Sequence, residues 1–153
     1  MAELKDIYNF LPLTETILTS GQPTEEQFAT VAAAGVGTVV NLALSSSTNA
    51  LADEEAIVRK HGMDYIHIPV IWEKPDLVEL EKFMDSMDRL KGRKTLVHCA
   101  ANMRVSAFVA LYRILRLGWT RDKAFRDLNR IWNPDETQVW KKFIDTALKA
   151  SKK

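Results

Sequence analysis

The chain has 153 residues, 46% hydrophobic and 27% charged, a size and mix that suit one domain over 1–153 with a core needing neither disulfide nor metal, and that exclude a disordered or collagen-like chain. Its 21 basic and 20 acidic side chains leave a net charge of +1, too little to steer a polyanion, so nucleic acid is not an expected partner. No apolar run approaches the roughly 20 residues that cross a bilayer. The opening MAELKDIYNF lacks the basic and apolar regions of a secretory leader, so the chain as it stands reads as cytoplasmic, or as periplasmic had a leader been removed.

In chain order, TILTSGQP predicts a short strand over 16–19, closed by the turn residues Gly21 and Pro23. Thr24 then caps a helix in which Phe28, Val31 and Ala32 recur at helical spacing until Gly35. The period changes at 38–42, where TVVNL has the β-branched, mostly apolar character of a strand buried on both faces. SSSTN makes a loop, and 51–60 predicts a second helix, stopped by His61 and Gly62. YIHIPV, 65–70, is the next strand. From 75 to 90, Leu77, Leu80, Phe83, Met84, Met87 and Leu90 follow one helical face. TLVH, 95–98, is a short apolar strand, and 105–117 is apolar on nearly every side, as expected of a core helix. Helices over 121–131 and 137–148, separated at Asn133 and Pro134, complete the chain, with KASKK as a solvated end. Strands alternating with helices predict an α/β fold with a parallel sheet and right-handed crossovers.

The chemistry concentrates in VHCAANMRVSAF. Here a strand ends at Cys99, four residues follow (Ala100, Ala101, Asn102 and Met103), and Arg104 stands at the start of the core helix. A turn entering a helix N-terminus leaves amides unpaired and adds the positive end of the helix dipole, so the N–H groups from Ala100 to Arg104 can converge on an oxyanion. The same potential favours a thiolate, which makes Cys99 a candidate nucleophile, while the planar fork of Arg104 suits two oxygens. Cys99 is the only cysteine, so no internal disulfide competes for it.

This segment resembles the cysteine-based protein tyrosine and dual-specificity phosphatase superfamily, whose signature is His-Cys, five residues, then Arg. The gap here is four residues and the usual glycine is absent, with Asn102, the residue after glycine most tolerant of left-handed angles, near its place. A compact bacterial branch of small phosphatase-like proteins of unassigned function is more similar still. It shares the four-residue gap, a Ser-Gly-Gln-Pro segment seen at 20–23, and an AGV-TVVNL-like strand seen at 34–42; the resemblance runs over about 16–148. It implies a phosphatase-like fold, a mainly parallel sheet of about four strands flanked by helices with an all-helical C-terminal part.

The resemblance also implies a phosphocysteine mechanism. Cys99 attacks phosphorus, Arg104 and the loop amides hold the equatorial oxygens, an acid protonates the leaving group, and water frees phosphate. WEKPD, 72–76, occupies the place of the superfamily's acid loop and offers Asp76 or Glu73. A hydroxyl often follows the arginine directly, whereas here Val105 does and Ser106 comes one place later. The loop lacks the extra lysines of phosphatases acting on polyphosphorylated inositols, which leaves phosphotyrosine, phosphoserine or threonine, or small aryl esters, with a phosphoprotein as an eligible substrate. No cofactor or metal is required by that chemistry.

Other readings fit the same residues. A free cysteine is often a buried small hydrophobe. His98 reads as a satisfied core or supporting group, and Asp76 serves equally as a helix-start residue. Trp119, Trp132 and Trp140 read as core packing. A rhodanese-like sulfurtransferase also places a cysteine loop between strand and helix, but such folds return to the sheet afterwards, and here only helical patterns follow Gly118. A catalytically weak phosphate- or phosphoprotein-binding module is the third reading.

Overall fold

The computed structural model describes residues 3–150; the last three residues of KASKK lie outside them. Five strands form one sheet in the order β1-β2-β5-β3-β4: β1 (Leu11–Pro12), β2 (Ile17–Ser20), β3 (Thr38–Asn41), β4 (Asp64–His67) and β5 (Thr95–His98). All neighbours are parallel except β1, which runs antiparallel to β2 at the edge. Six helices flank it: α1 (Glu25–Ala33), α2 (Glu54–Lys60), α3 (Leu77–Arg89), α4 (Met103–Leu115), α5 (Arg121–Leu128) and α6 (Gln138–Ala150), with single 3-10 turns at Leu4–Asp6 and Pro134–Glu136. This is the α/β fold expected, with a fifth strand added. The addition escaped detection because it is two residues long and includes a proline, which an edge strand tolerates.

The central strands alternate their loyalties with period two. Val39 and Leu96 pack with Phe28, Val31 and Val58 on the α1 and α2 side, whereas Val40 and Val97 join Phe83, Phe108, Leu111 and Trp140 on the side of α3, α4 and α6. Both faces are thus covered, as parallel sheets require. α4 lies deepest: its residues from Arg104 to Arg113 are all buried, which explains why its sequence shows no polar face.

Several boundaries moved, β4 ending at His67 and not 70 and α5 at Leu128 and not 131, and two of the shifts have a visible backbone cause. α2 begins at Glu54, not residue 51, because Asp53 takes a left-handed conformation, φ 59°, that interrupts a helix. α4 begins at Met103, not 105, immediately after Asn102 takes the same left-handed conformation at φ 66°. α1 starts as expected, with a reciprocal capping pair between Thr24 and Gln27. No strand follows β5 among the described residues, and none of their helices is long and apolar enough to cross a membrane.

Candidate active site

β5 is the middle strand, and its C-terminal end delivers the chain to Cys99, 1% exposed, whose N–H reaches Ser20 O at 3.4 Å. Ala101 then pairs with Gly21 in a single antiparallel bridge, and the left-handed turn at Asn102 feeds α4. The carbonyls of this loop are engaged one after another. Ala100 O accepts from Gln22 N at 3.1 Å and Asn49 Nδ2 at 3.1 Å. Ala101 O accepts from Asn9 Nδ2 at 3.0 Å, Asn102 O from Ser106 N at 2.9 Å, and Met103 O from Trp132 Nε1 at 2.9 Å. Among the described residues, nothing accepts from the N–H groups of Ala100, Ala101, Met103 or Arg104. A backbone whose acceptors are spent and whose donors are not is the electrostatic requirement for holding an anion.

Asn102 does more than turn the chain. Its Nδ2 donates to Asn9 O at 2.9 Å and to Thr19 Oγ1 at 3.1 Å, tethering the loop to the segment before β1 and to β2. Gly21 lies so near that a Cβ there would stand 2.8 Å from Ala100 O and 2.7 Å from the ring of Tyr8. Glycine at 21 is therefore a condition of the loop's close approach to β2.

Arg104 sits in the first turn of α4, 7% exposed, and donates through Nη1 to Val70 O at 2.7 Å. One of its five N–H groups is thereby fixed, which orients the guanidinium plane and leaves further donors. Ser106 Oγ donates to Met103 O at 3.0 Å and accepts from Trp132 Nε1 at 3.1 Å, so this hydroxyl braces the start of α4.

Behind the loop lies a buried polar triad. His98, 0% exposed, places Nε2 2.7 Å from Glu54 Oε2 and Nδ1 3.3 Å from Cys99 O. Glu54, 6% exposed, also accepts from Gln22 Nε2 at 2.7 Å. Burial alone would push the Glu54 carboxyl up, but the hydrogen bond and charge of His98, with bonds from Gln22 and Tyr65, outweigh it and hold the group below its ordinary 4.5.

Of the residues expected at the site, the fold gathers His98, Cys99, Ala100, Ala101, Asn102, Met103, Arg104 and Ser106 into one strand-turn-helix unit. Glu73 and Asp76 stand on the segment between β4 and α3, both exposed. Asp76 is the N-cap of α3, its Oδ1 accepting from Val78 N at 2.8 Å, and no contact within the fold ties either carboxylate to Cys99 or Arg104. The segment meets the site through Val70 and through Trp72, whose ring packs on Trp132 and Trp140 and whose carbonyl accepts from Trp140 Nε1. Trp140 is fully buried core, but Trp132 also holds the loop, and Trp119 lies between the cations of Arg113 and Lys123.

Sequence reasoning missed Asn9, Gly21, Gln22, Asn49, Glu54 and Trp132 as supports of the loop. Only the Ser-Gly-Gln-Pro segment carried a signal for any of them. Cavity size is no guide either: a concavity of about 670 Å³ runs along α6 and contains none of the loop residues.

The family described as DSP-PTPase phosphatase fused to NAD+ kinase matches residues 11–146. A putative phosphatase (DUF442) from Shewanella putrefaciens CN-32 is 36% identical, the match covering 94% of this chain and 93% of that one, with a TM-score of 0.83. TpbA from P. aeruginosa, 20% identical over 91% of this chain and 84% of its own at a TM-score of 0.73, shares the fold. So does the core catalytic domain of the PP-IP phosphatase SIW14 from S. cerevisiae, 17% identical over 91% and 85% at a TM-score of 0.72. No curated protein matches this chain. A family match over most of the chain, joined to a loop of this construction, places the protein in the cysteine-based protein tyrosine and dual-specificity phosphatase superfamily, as a compact member of the DUF442 type.

Proposed function

We propose that this chain hydrolyses phosphate monoesters through a phosphocysteine intermediate, with Cys99 as nucleophile. The observation that carries the reading is the division of labour in this backbone: the carbonyls of Ala100, Ala101 and Met103 are bonded to neighbouring segments, while the amides of Ala100, Ala101, Met103 and Arg104 are unpaired among the described residues at the N-terminus of a buried helix. In this reading the amides of Ala100, Ala101, Asn102, Met103 and Arg104 hold the equatorial oxygens, and the remaining N–H groups of Arg104 bind them as charge builds. The sulfur forms its bond to phosphorus as the ester oxygen leaves with a proton, and water then displaces the sulfur to release inorganic phosphate. Glu73 or Asp76 supplies the first proton. Glu73 has the freer carboxylate, since Asp76 is engaged in capping α3. His98 and Ser106 support the loop.

The substrate class is an aryl phosphate or a phosphorylated protein side chain; TpbA has been crystallised, as a cysteine-to-serine form, with phosphotyrosine, which makes that ester the first to try. No reading by sulfur transfer gains an observation here, because no strand follows β5 among the described residues. The test is turnover of p-nitrophenyl phosphate by the wild type and by Cys99→Ser. Hydrolysis that disappears in the variant while inorganic phosphate still binds supports the reading. Equal hydrolysis by both proteins, or rapid sulfur transfer from thiosulfate to cyanide without ester cleavage, overturns it.

A further inference from the structure

One group in the neighbourhood of the loop has no part in the chemistry just described, yet it is the most deeply buried carboxylate of the described chain. Glu54 opens α2 on the far side of β5, and both of its oxygens face donors: Oε1 takes the Gln22 amide and Oε2 takes His98 Nε2, each at 2.7 Å. An ionised carboxylate accepts only, so His98 Nε2 carries a proton. The other ring nitrogen, Nδ1, faces Cys99 O, which also only accepts. An acceptor therefore faces each nitrogen of a ring that lies one residue from the thiol. Gln22 reports the same polarity. Its Nε2 is turned to Glu54 and Pro23 O, and its Oε1 is left buried without a partner among the described residues, the orientation that a charged acceptor imposes.

We propose that Glu54 is a positioning residue for Cys99: it holds His98 protonated beneath the loop, so that a fixed cation, and not a neutral imidazole, stands behind the nucleophile. The proposal rests on the reading of Cys99 as nucleophile, and it adds a residue outside the His-Cys-loop-Arg unit. The charged pair as a whole is neutral, with its positive end toward Cys99 and its negative end toward α2. Its surroundings do not supply another counter-ion to His98. The edge of Phe28 from α1 lies against the ring at 6.0 Å between centroids. On the Glu54 side stand Tyr65 of β4 and Glu55 of α2, whose charge adds to the negative end, together with Asp53 and His67 around a concavity of about 260 Å³. Arg104 reaches the loop from α4 and is common to every variant below.

Because the chain has one cysteine, alkylation reads its thiolate without reference to turnover. The experiment measures iodoacetamide incorporation by intact mass against pH in the full chain, for the wild type, Glu54→Gln, Glu54→Asp, His98→Gln and the Glu54→Gln/His98→Gln pair. Glu54→Gln keeps an acceptor for His98 but removes the charge. Its half-maximal pH rises by about one unit, a differential interaction of about 1.4 kcal/mol, so incorporation on the acid limb falls roughly tenfold while the alkaline plateau is unchanged. Glu54→Asp, which keeps the charge, restores most of the shift. In the His98→Gln background the same Glu54→Gln change removes a bare negative charge, so the half-maximal pH stays or falls. An unmoved half-maximal pH in Glu54→Gln, or an equal rise in both backgrounds, overturns the proposal. Should Glu54→Gln fail to fold, the proton count of the His98 ring in the wild type decides, read by 15N NMR at pH 7, and a neutral ring there overturns it. Absence of phosphate ester turnover with the alkylation shifts intact would sink the hydrolase reading and leave this one standing.

Discussion

The two segments that would flank a bound phosphate are built on opposite plans. The loop from Cys99 to Arg104 is held from five directions, by Asn9 before β1, Gly21 and Gln22 after β2, Asn49 before α2, Val70 after β4 and Trp132 after α5. The segment from Trp72 to Asp76 has fewer ties: the Trp72 ring and carbonyl at one end, the Asp76 cap at the other and one local turn bond from Lys74 N to Ile71 O at 3.0 Å, with the side chains of Glu73 and Lys74 exposed between. The contrast teaches where precision is required. Electrostatic stabilisation depends on donors fixed before charge develops, whereas an acid has only to arrive within hydrogen-bond reach of the leaving oxygen.

That contrast can be broken first at the nucleophile. Cys99→Ser is expected to lower kcat for p-nitrophenyl phosphate at least about 1000-fold, with the melting temperature changed by only a few degrees; comparable loss of both would mean the residue serves packing alone. Gly21→Ala attacks the restraint without touching the chemistry. Its Cβ would clash with both the Tyr8 ring and Ala100 O, and a loop moved by less than about 1 Å is expected to lose about 100-fold in kcat/KM. Wild-type kinetics in Gly21→Ala would show that the close approach is dispensable.

The acid segment answers to a different probe. Glu73→Gln is expected to slow alkyl phosphates about 10- to 100-fold and p-nitrophenyl phosphate much less, because a good leaving group needs no proton. Asp76→Asn keeps the helix cap, so any loss in that variant reads protonation and not stability. If only Asp76→Asn shows the leaving-group dependence, the acid is Asp76.

Smaller effects sharpen the comparison. Trp132→Phe keeps the ring but removes the donor to Met103 O and Ser106 Oγ, an expected loss of about 1 kcal/mol in stability, measured by urea unfolding, with a several-fold fall in kcat/KM. The smallest effect concerns pH. Glu54 has a folded-state pKa below its ordinary 4.5, so its contribution to stability is present above that pH and is lost as pH falls through the folded value. The difference in melting temperature between wild type and Glu54→Gln should therefore shrink below about pH 4.5. A gap that widens on acidification would contradict the direction of that shift.

How much of this was legible in the sequence depended on how local the signal was. Thr95–His98, the cap at Thr24 and the amphipathic α3 were readable because periodicity and capping are written within a few consecutive residues. The strand-Cys-turn-Arg-helix unit was readable for the same reason. The left-handed Asp53 that delays α2 was not, since aspartate adopts that conformation only where context over-determines it. Nor were the loop's restraints. Asn102 reaches back 93 residues to Asn9, and His98 meets a carboxylate 44 residues away, pairings that exist only once β2, β3 and β5 lie side by side.

The asparagine at the left-handed turn has one more consequence. Glycine at that place would be free to wander through most of backbone space, and an anion arriving there would have to still it, at an entropic cost subtracted from affinity. Asn102 narrows that freedom in advance, and its amide is moored to both Asn9 and Thr19. A shortened cradle made this way takes its shape when the chain folds, not when a guest enters it.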